Sequence, residues 1–266
     1  MISGPIREYS TPMDKDVLLV HYLDHLINFE LCVRCIEKGY PSVMIDGSAL
    51  KLEENIALTK RVVEFAYSNE VLGIENFMLK LYDDIELVEH IMDIFIDYST
   101  RITKELSKRN IDCFWLDDDM AFNNGFLVQP EFIKDLWIPR TNKMLEPLKE
   151  KNIPIYMHCC ANITDLIPIA IDLGIKAIHP LQPNCNDIYA LKEKYGHKMS
   201  FVGNIDLAGV LSFGTPEEVM EDTRKHIDKL APGGGYVVAS SHSITDDVPP
   251  QNYIAMIETA QTYGKY

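Results

Sequence analysis

The sequence alternates short apolar runs with amphipathic segments from one end to the other. Seven runs have the length and residue types of β-strands, and Gly, Pro, Asn or Asp bounds most of them. Strands that alternate with helices form parallel sheets, so the pattern predicts an α/β fold, either a closed barrel or an open doubly wound sheet. The predicted strands are 17–23, 42–45, 112–116, 154–158, 176–179, 200–204 and 236–240; the predicted helices are 29–37, 53–67, 85–108, 130–149, 164–173, 188–195, 216–230 and 250–262.

Seven strands are one fewer than a closed (β/α)8 barrel needs. Residues 71–74 and the first ten residues are weaker candidates for the eighth strand. The chain has no Gly/Ser linker and no low-complexity tract, and 266 residues lie within the range of one-domain α/β barrels. We therefore predict a single domain over residues 1–266.

Charge excludes several classes of partner. The chain has 40 acidic and 25 basic side chains, which gives a net charge of −15. No basic face is available for nucleic acid, and an acidic membrane surface would repel the protein. No apolar run approaches the ~18 residues of a membrane span, the N-terminus does not resemble a secretory signal, and six cysteines are too few for a disulfide scaffold. These features predict a cytoplasmic protein with reduced thiols.

Ligand-type residues follow nearly every predicted strand. The carboxyl ends of parallel strands meet on one face of the sheet, so these residues are expected to lie near one another. They are Asp24-His25, Asp46-Gly47-Ser48, Asp117-Asp118-Asp119, His158-Cys159-Cys160, Gln182, Asn204-Ile205-Asp206 and Ser241-His242-Ser243.

His158 and Cys160 form the most specific of these groups. They are two residues apart at a strand end, so both side chains start from one face of the chain. Mixed nitrogen and sulfur ligands suit Zn²⁺, and a zinc site needs at least three protein ligands. We predict His242 as the third ligand and His25 as a fourth or substitute ligand. A packed pair that binds no metal is the alternative.

Three other motifs admit plainer interpretations. Asp117–Asp119 is either a source of an acid, base or cation ligand, or a solvated loop that caps a helix. Cys32-x-x-Cys35 lies on one helical face with apolar neighbours, which indicates buried cysteines. Gly233–Gly235 precedes a strand and lacks the Lys-Ser/Thr of a phosphate loop, which indicates a turn.

From about Gly73 to its end, the chain resembles the uroporphyrinogen decarboxylase superfamily. The segments that carry the resemblance are GIENFMLKLYDDIELVEHIMD, DCFWLDDDMAFNNGFLVQPEFIKDLWIP, MHCCANITDLIP, IHPLQP, SFVGNID and APGGGYVVASSHSITDDVPPQNYIAMIETAQTYGKY. This superfamily includes zinc-dependent methyltransferases that act with corrinoid proteins. The resemblance implies a TIM-type barrel, with His158 and Cys160 as zinc ligands and His242 in the place of a cysteine ligand. It also implies Asp118 as a proton-handling residue, and it places Ala161 where a glycine usually follows the cysteine.

Residues 1–75 resemble a different family, the class II fructose-bisphosphate aldolases. The resemblance lies in VLLVHYLDHLINFELCVRCIEKGYPSVMIDGSALKLEENIALTKRVVEFA. It implies Asp24 as a catalytic acid and His25 as a zinc ligand. The later aldolase motifs are absent, so we expect no aldolase activity. The chain is therefore expected to be a hybrid barrel, aldolase-like over 1–75 and decarboxylase-like over 76–266.

The hybrid affects the expected function. Porphyrinogen decarboxylases bind a substrate with many carboxylates through N-terminal arginines, whereas residues 1–75 contain only Arg7, Arg34 and Arg61. We therefore expect zinc-dependent methyl transfer between a corrinoid, carried by a partner protein, and a small thiol or methoxylated substrate. Uroporphyrinogen decarboxylation is the first alternative, and a non-catalytic remnant or assembly subunit is the second. Exposed strand edges in an incomplete barrel predict a homodimer.

Overall fold

Six parallel strands form the sheet that carries the site. The computed structural model describes residues 72–109 and 111–264 together with the strand Ile45–Asp46. The sheet contains β1 (Ile45–Asp46), β2 (Phe114–Asp117), β5 (Ile155–His158), β6 (Ala177–His179), β7 (Ser200–Ile205) and β8 (Tyr236–Ser240). They pair in that order, each parallel to its neighbour. Consecutive parallel strands separated by helices are the arrangement of a TIM-type α/β barrel, which confirms the predicted fold class.

Helices connect the strands, and a short antiparallel hairpin interrupts the pattern after β2. The hairpin strands are β3 (Ala121–Phe122) and β4 (Gly125–Phe126). The helices are α1 (Ile74–Asp83), α2 (Ile85–Leu106), α3 (Pro130–Phe132), α4 (Ile138–Glu150), α5 (Leu166–Asp172), α6 (Ile188–Tyr195), α7 (Pro216–Leu230) and α8 (Pro250–Tyr263), with π-helical turns π1 (Ile133–Trp137) and π2 (Leu207–Leu211).

Residues 112–241 supply five consecutive strands of the sheet, as the apolar runs predict. The helix start at Thr215 is also confirmed: its hydroxyl accepts a hydrogen bond from the Glu218 backbone at 3.3 Å, and the Glu218 carboxylate accepts one from the Thr215 backbone at 2.7 Å. The suggestion of an eighth strand at 71–74 is wrong where the structure describes it, because Ile74 begins α1. Phe77, one turn later, is buried, so the apolar residues there serve a helix.

Several predicted elements lie outside the described residues. These are the strand 17–23, the helices 29–37 and 53–67, and the pair Cys32 and Cys35. The predicted strand 42–45 is described only where β1 begins, at Ile45, and β1 pairs with β2 as neighbouring barrel strands do.

The large core lies between the sheet and the helices that precede and follow β2. Trp137, Phe77, Phe114 and Phe201 are its largest fully buried side chains. Helices α2 and α4 pack on each other across this core. A smaller cluster joins the end of β7 to α7 and α8. Among the described helices, none has both the length and the apolar composition that a membrane span requires.

Candidate metal centre at the strand ends

Three polar residues stand in one row at the carboxyl ends of adjacent strands. Asp117 on β2 is paired in register with His158 on β5, and His158 is paired with His179 on β6. Residues paired across parallel strands point to the same face of the sheet. The backbone therefore places a carboxylate and two imidazoles side by side at the mouth of the barrel.

Asp119, His158 and Cys160 bring an oxygen, a nitrogen and a sulfur to one point. Their ligand atoms all lie within 4.8 Å of one another. Cys160 Sγ lies 3.2 Å from His158 Nε2, and Asp119 Oδ1 lies 3.6 Å from the same nitrogen. His158 is buried, Cys160 is half-buried and Asp119 is exposed, so the group lies between the core and the opening of the barrel.

Backbone contacts hold the loop that carries Cys160. The Cys160 N–H donates a 2.6 Å hydrogen bond to Asp119 Oδ1, which ties the loops after β2 and β5 together. Ala161 has a φ of 69°, a left-handed conformation that usually requires glycine. Gln182 accepts a hydrogen bond from the Ala161 N–H, and the Asn186 amide donates one to the Ala161 carbonyl at 2.7 Å. The loop after β6 therefore stabilises this bend.

His158 is held from its other side by His179. Their Nδ1 atoms lie 2.7 Å apart, and both side chains are buried. Trp115 on β2 packs against both rings, with centroid distances of 6.4 Å to His158 and 5.4 Å to His179. Trp115 on β2 and His179 on β6 thus fix the orientation of the His158 ring between them.

The electrostatic environment of this group favours a cation. Burial raises the pKa of the Cys160 thiol, and the carboxylates of Asp119 and Asp117 raise it further. Burial also lowers the pKa of His179 well below its usual value, and the neighbouring His158 acts in the same direction. Acidic oxygens and a sulfur that face one point form an environment that a metal ion would neutralise.

The donor set fits zinc. Thiolate, imidazole and carboxylate are the three ligand types that Zn²⁺ takes in proteins, and a site with three protein ligands leaves a position open for substrate. Oxygen-preferring Mg²⁺ and Ca²⁺ do not select a sulfur ligand. His158 and Cys160 are two of the ligands predicted from the sequence, and the structure brings them together.

The side chain of Asp118, which was predicted to handle protons, does not belong to the group of Asp119, His158 and Cys160. Its side chain is 1% exposed, and Oδ2 accepts a 2.6 Å hydrogen bond from Trp137 Nε1 in π1. Its backbone N–H donates to the His158 carbonyl at 3.1 Å. These contacts place Asp118 beneath the site as an anchor of the loop, and its catalytic role stays a prediction.

The group of three does not include His242, the predicted third ligand. His242 follows β8, is exposed, and has its Nδ1 3.3 Å from the carbonyl of Ser243. Like the group, it lies at the carboxyl ends of the strands. Asp119 stands in the group in place of His242. Asp24 and His25 lie outside the described residues, and their roles stay predictions.

The sequence analysis did not single out Asp119 from the triple aspartate, and it did not consider His179. The signal for His179 was present, because it ends a predicted strand directly beside the one that ends at His158. The signal for Asp119 was the triple aspartate, which does not by itself tell which carboxylate faces the site.

Two family models match this chain. The model described as uroporphyrinogen decarboxylase (URO-D) matches residues 67–263, and the model described as fructose-bisphosphate aldolase class-II matches residues 3–75. A fructose-bisphosphate aldolase of Treponema pallidum is 49% identical over 61 residues, which are 23% of this chain and 18% of the relative. Both resemblances found in the sequence are thus confirmed.

Curated relatives of the longer segment are methyltransferases. Methylcobamide:CoM methyltransferase MtbA of Methanosarcina acetivorans is 27% identical over 187 residues, covering 69% of this chain and 51% of the relative. MtbA of Methanosarcina mazei is 25% identical over 263 residues, covering 98% of this chain and 74% of the relative. The chain therefore spans about half the length of the first of these relatives.

A solved structure of a methyltransferase shares the fold. A methyltransferase from Methanosarcina mazei superposes with a TM-score of 0.66 at 18% sequence identity, covering 90% of this chain and 64% of that chain. This likeness supports the barrel architecture.

Proposed function

The chain belongs to the uroporphyrinogen decarboxylase family through its residues 67–263, and from that membership we propose that it catalyses a zinc-dependent methyl transfer. The methyl group would pass between a corrinoid and a small thiol or methoxylated substrate. The curated relatives that carry the names methylcobamide and CoM support this choice of reaction.

One observation carries the proposal, the convergence of Asp119, His158 and Cys160 within 4.8 Å. The three residues come from two adjacent strand ends, and a hydrogen bond between Cys160 N–H and the Asp119 carboxylate couples their loops. We place the zinc ion between these three side chains. His242 and His25, the ligands expected from the sequence, remain candidates for a further position.

Each residue has a defined task in this site. His158 presents Nε2 toward the two other ligands, and Cys160 provides the sulfur that selects zinc. A bound zinc ion lowers the pKa of a thiol substrate and stabilises its thiolate at neutral pH. Trp115 and the buried rings behind His158 close the inner side of the site to water, so the substrate approaches from the exposed side where Asp119 lies.

The placement of arginines argues against porphyrinogen decarboxylation. A substrate with many carboxylates needs arginines that converge on the pocket. Within the described residues the four arginines, Arg101, Arg109, Arg140 and Arg224, lie on or next to helices α2, α4 and α7. Arg140 pairs with Glu89 and Asp93 on α2. Decarboxylation therefore stays the second candidate, favoured only by the family name.

The proposed reaction also defines the partners. The corrinoid would be carried by a separate protein that docks over the carboxyl ends of the strands, and the second substrate would be a small molecule. We also propose that the protein acts in the cytoplasm as a homodimer that binds neither nucleic acid nor membrane.

The test is an assay of the zinc-loaded full chain with methylated and unmethylated corrinoid, followed through the cobalt absorbance. The panel contains thiols, methoxylated aromatics and, as the competing substrate, uroporphyrinogen. We expect a corrinoid response that disappears in Cys160→Ser and persists in Cys185→Ser, the matched half-buried cysteine. Turnover of uroporphyrinogen without a corrinoid response would instead establish a decarboxylase, and silence in both assays would indicate a non-catalytic hybrid.

A further inference from the structure

The proposed function does not use the contact between the imidazoles of His158 and His179. His158 Nδ1 and His179 Nδ1 face each other at 2.7 Å, and each side chain is 2% exposed. Their ring centroids are 4.9 Å apart with the planes tilted by 33°, so the nitrogens meet nearly edge to edge. At this distance one nitrogen donates a hydrogen and the other accepts it, because two N–H groups would collide and two lone pairs would repel.

The position of the metal group decides which ring donates. His158 Nε2 is the atom nearest Cys160 Sγ and Asp119 Oδ1, so Nε2 is the nitrogen that would hold the ion. A neutral imidazole carries a single N–H, and a ligand nitrogen cannot carry it. The proton of a ligating His158 therefore lies on Nδ1, and His158 is the donor to His179.

His179 is placed for the complementary role. Its Nδ1 lies 2.7 Å from His158 Nδ1. A neutral imidazole has one nitrogen with a lone pair, so His179 accepts the His158 N–H at Nδ1 and carries its own proton on Nε2.

We propose that His179 is a positioning residue of the zinc site, which accepts the Nδ1–H of His158 and so leaves the lone pair of Nε2 directed at the metal. The identity of the ion rests on the proposed function. A hydrogen-bond acceptor behind a ligating imidazole fixes the tautomer, orients the ring and raises its basicity. Here the acceptor is an imidazole on the next strand, held by the β5–β6 register and by Trp115.

The test compares two substitutions of the full chain. His179→Asn keeps an oxygen that can accept the His158 N–H, whereas His179→Leu fills similar space with no acceptor. Zinc affinity, measured by competition with a chromophoric chelator, should fall about 10- to 100-fold in His179→Leu and stay within about threefold of wild type in His179→Asn. The sulfur-to-cobalt band of the Co²⁺-loaded protein should shift in His179→Leu only. Equal losses in both variants would show a packing role and overturn the proposal.

A second measurement uses the metal-free wild-type protein, so it does not depend on the folding of the two His179 variants or on metal binding. Ring ¹⁵N–¹H correlation spectra of the metal-free wild type, with His158 assigned by His158→Gln, report which nitrogen carries the proton. We expect it on Nδ1 of His158, because Nε2 lies 3.2 Å from the Cys160 thiol and can accept its S–H; a proton on Nε2 would overturn the positioning role. A wild type that binds no zinc would refute the proposed function, while the same spectra would still decide the direction of the hydrogen bond.

Discussion

The carboxyl ends of β2, β5 and β6 differ from those of β7 and β8 in what their polar side chains contact. At the first three ends, polar side chains contact one another: Asp119 lies near His158, and His158 bonds to His179. At the last two ends, they satisfy the backbone. The Asn204 amide donates to the Leu181 carbonyl at 2.8 Å, and the Ser241 hydroxyl accepts from the Leu207 N–H at 2.9 Å.

This difference distinguishes, at one face of the barrel, side chains that can bind a ligand from side chains that stabilise the fold. Burial alone does not distinguish the two groups, since His158, His179, Asn204 and Ser241 are all buried. The amide nitrogen of Asn204 and the hydroxyl of Ser241 are each taken by a main-chain group, which reduces their capacity to bind a ligand. Side chains that share their polar atoms with each other can rearrange those bonds around an ion. Polar residues after a strand therefore indicate a site only when they converge on one another.

The largest expected effect on folding comes from the β7 end, in Gly203→Ala. Gly203 has a φ of 136°, and an added Cβ would overlap the carbonyl oxygen of Pro180, directly after β6. The free energy of unfolding should fall by about 3 kcal/mol, from overpacking and backbone strain together. Equilibrium denaturation in urea measures this loss.

Gly125→Ala is the matched control for that substitution. Gly125 has a φ of 122° but nothing within 4 Å of the added Cβ, so it carries strain without a clash. Its loss should be smaller by about 1 to 2 kcal/mol. Equal losses in the two variants would mean that the close approach of β6 and β7 is not what requires Gly203.

At the β5 end, Cys160→Ser should remove zinc and leave the fold intact. A serine hydroxyl is a poor ligand for zinc beside a thiolate, so affinity should fall by about 100-fold or more. The unfolding free energy of the metal-free protein should change by less than about 1 kcal/mol, because Cys160 is only half-buried. Metal analysis after dialysis measures the first quantity.

Cys185→Ser tests the specificity of that loss. Cys185 is also half-buried, and it is not in the group of three. Its thiol lies 3.7 Å from the Gln182 carbonyl and accepts a hydrogen bond from the Asn186 amide at 3.5 Å. Its zinc content should match wild type. Zinc retained by Cys160→Ser, or lost from both variants, would remove the β2 and β5 ends from consideration as the metal centre.

Residue patterns predicted most of the described sheet, and they predicted two of the three residues in the candidate metal centre, His158 and Cys160. The strands of residues 112–241 are bounded by turn residues, and their apolar runs match β2, β5, β6, β7 and β8. The His158-x-Cys160 spacing places two candidate ligands on one side of a strand end whatever the tertiary structure. Such a pattern predicts the placement of side chains correctly because it depends only on the two-residue period of the strand backbone.

The remaining parts of the site depend on contacts distant in the sequence. Trp137 is 19 residues from Asp118, and its hydrogen bond draws that carboxylate into the core, which leaves Asp119 to face His158. The role of His179 depends on the parallel register of β5 and β6, which residues 159–176 between them do not reveal. The turn π1, inside the predicted helix 130–149, was also missed, since an apolar helical period does not distinguish one extra residue in a turn. No helix was predicted at π2.

A smaller effect is expected from Ser241→Ala, which removes a contact that serves the backbone. The Leu207 N–H at the start of π2 would lose its acceptor, and the unfolding free energy should fall by about 1 kcal/mol. Zinc affinity should stay within about threefold of wild type, since Ser241 is not among the converging side chains. Ser243→Ala, two residues on at a half-buried position, should change neither quantity. A loss of zinc in Ser241→Ala would erase the distinction between the two groups of strand ends.

The smallest effect is expected from His242→Ala, although the sequence predicted His242 as a ligand. The ring is exposed, and it lies outside the group formed by Asp119, His158 and Cys160. To bind the metal, the exposed His242 side chain would have to become fixed in one conformation, which costs conformational entropy. Its Nδ1 lies 3.3 Å from the Ser243 carbonyl. Zinc affinity should therefore fall by less than about threefold, well below the loss in Cys160→Ser. Titration of both variants against one competing chelator makes the comparison direct. A loss in His242→Ala as large as that in Cys160→Ser would show that the loop after β8 moves to complete the zinc site, and that the two groups of strand ends act as one.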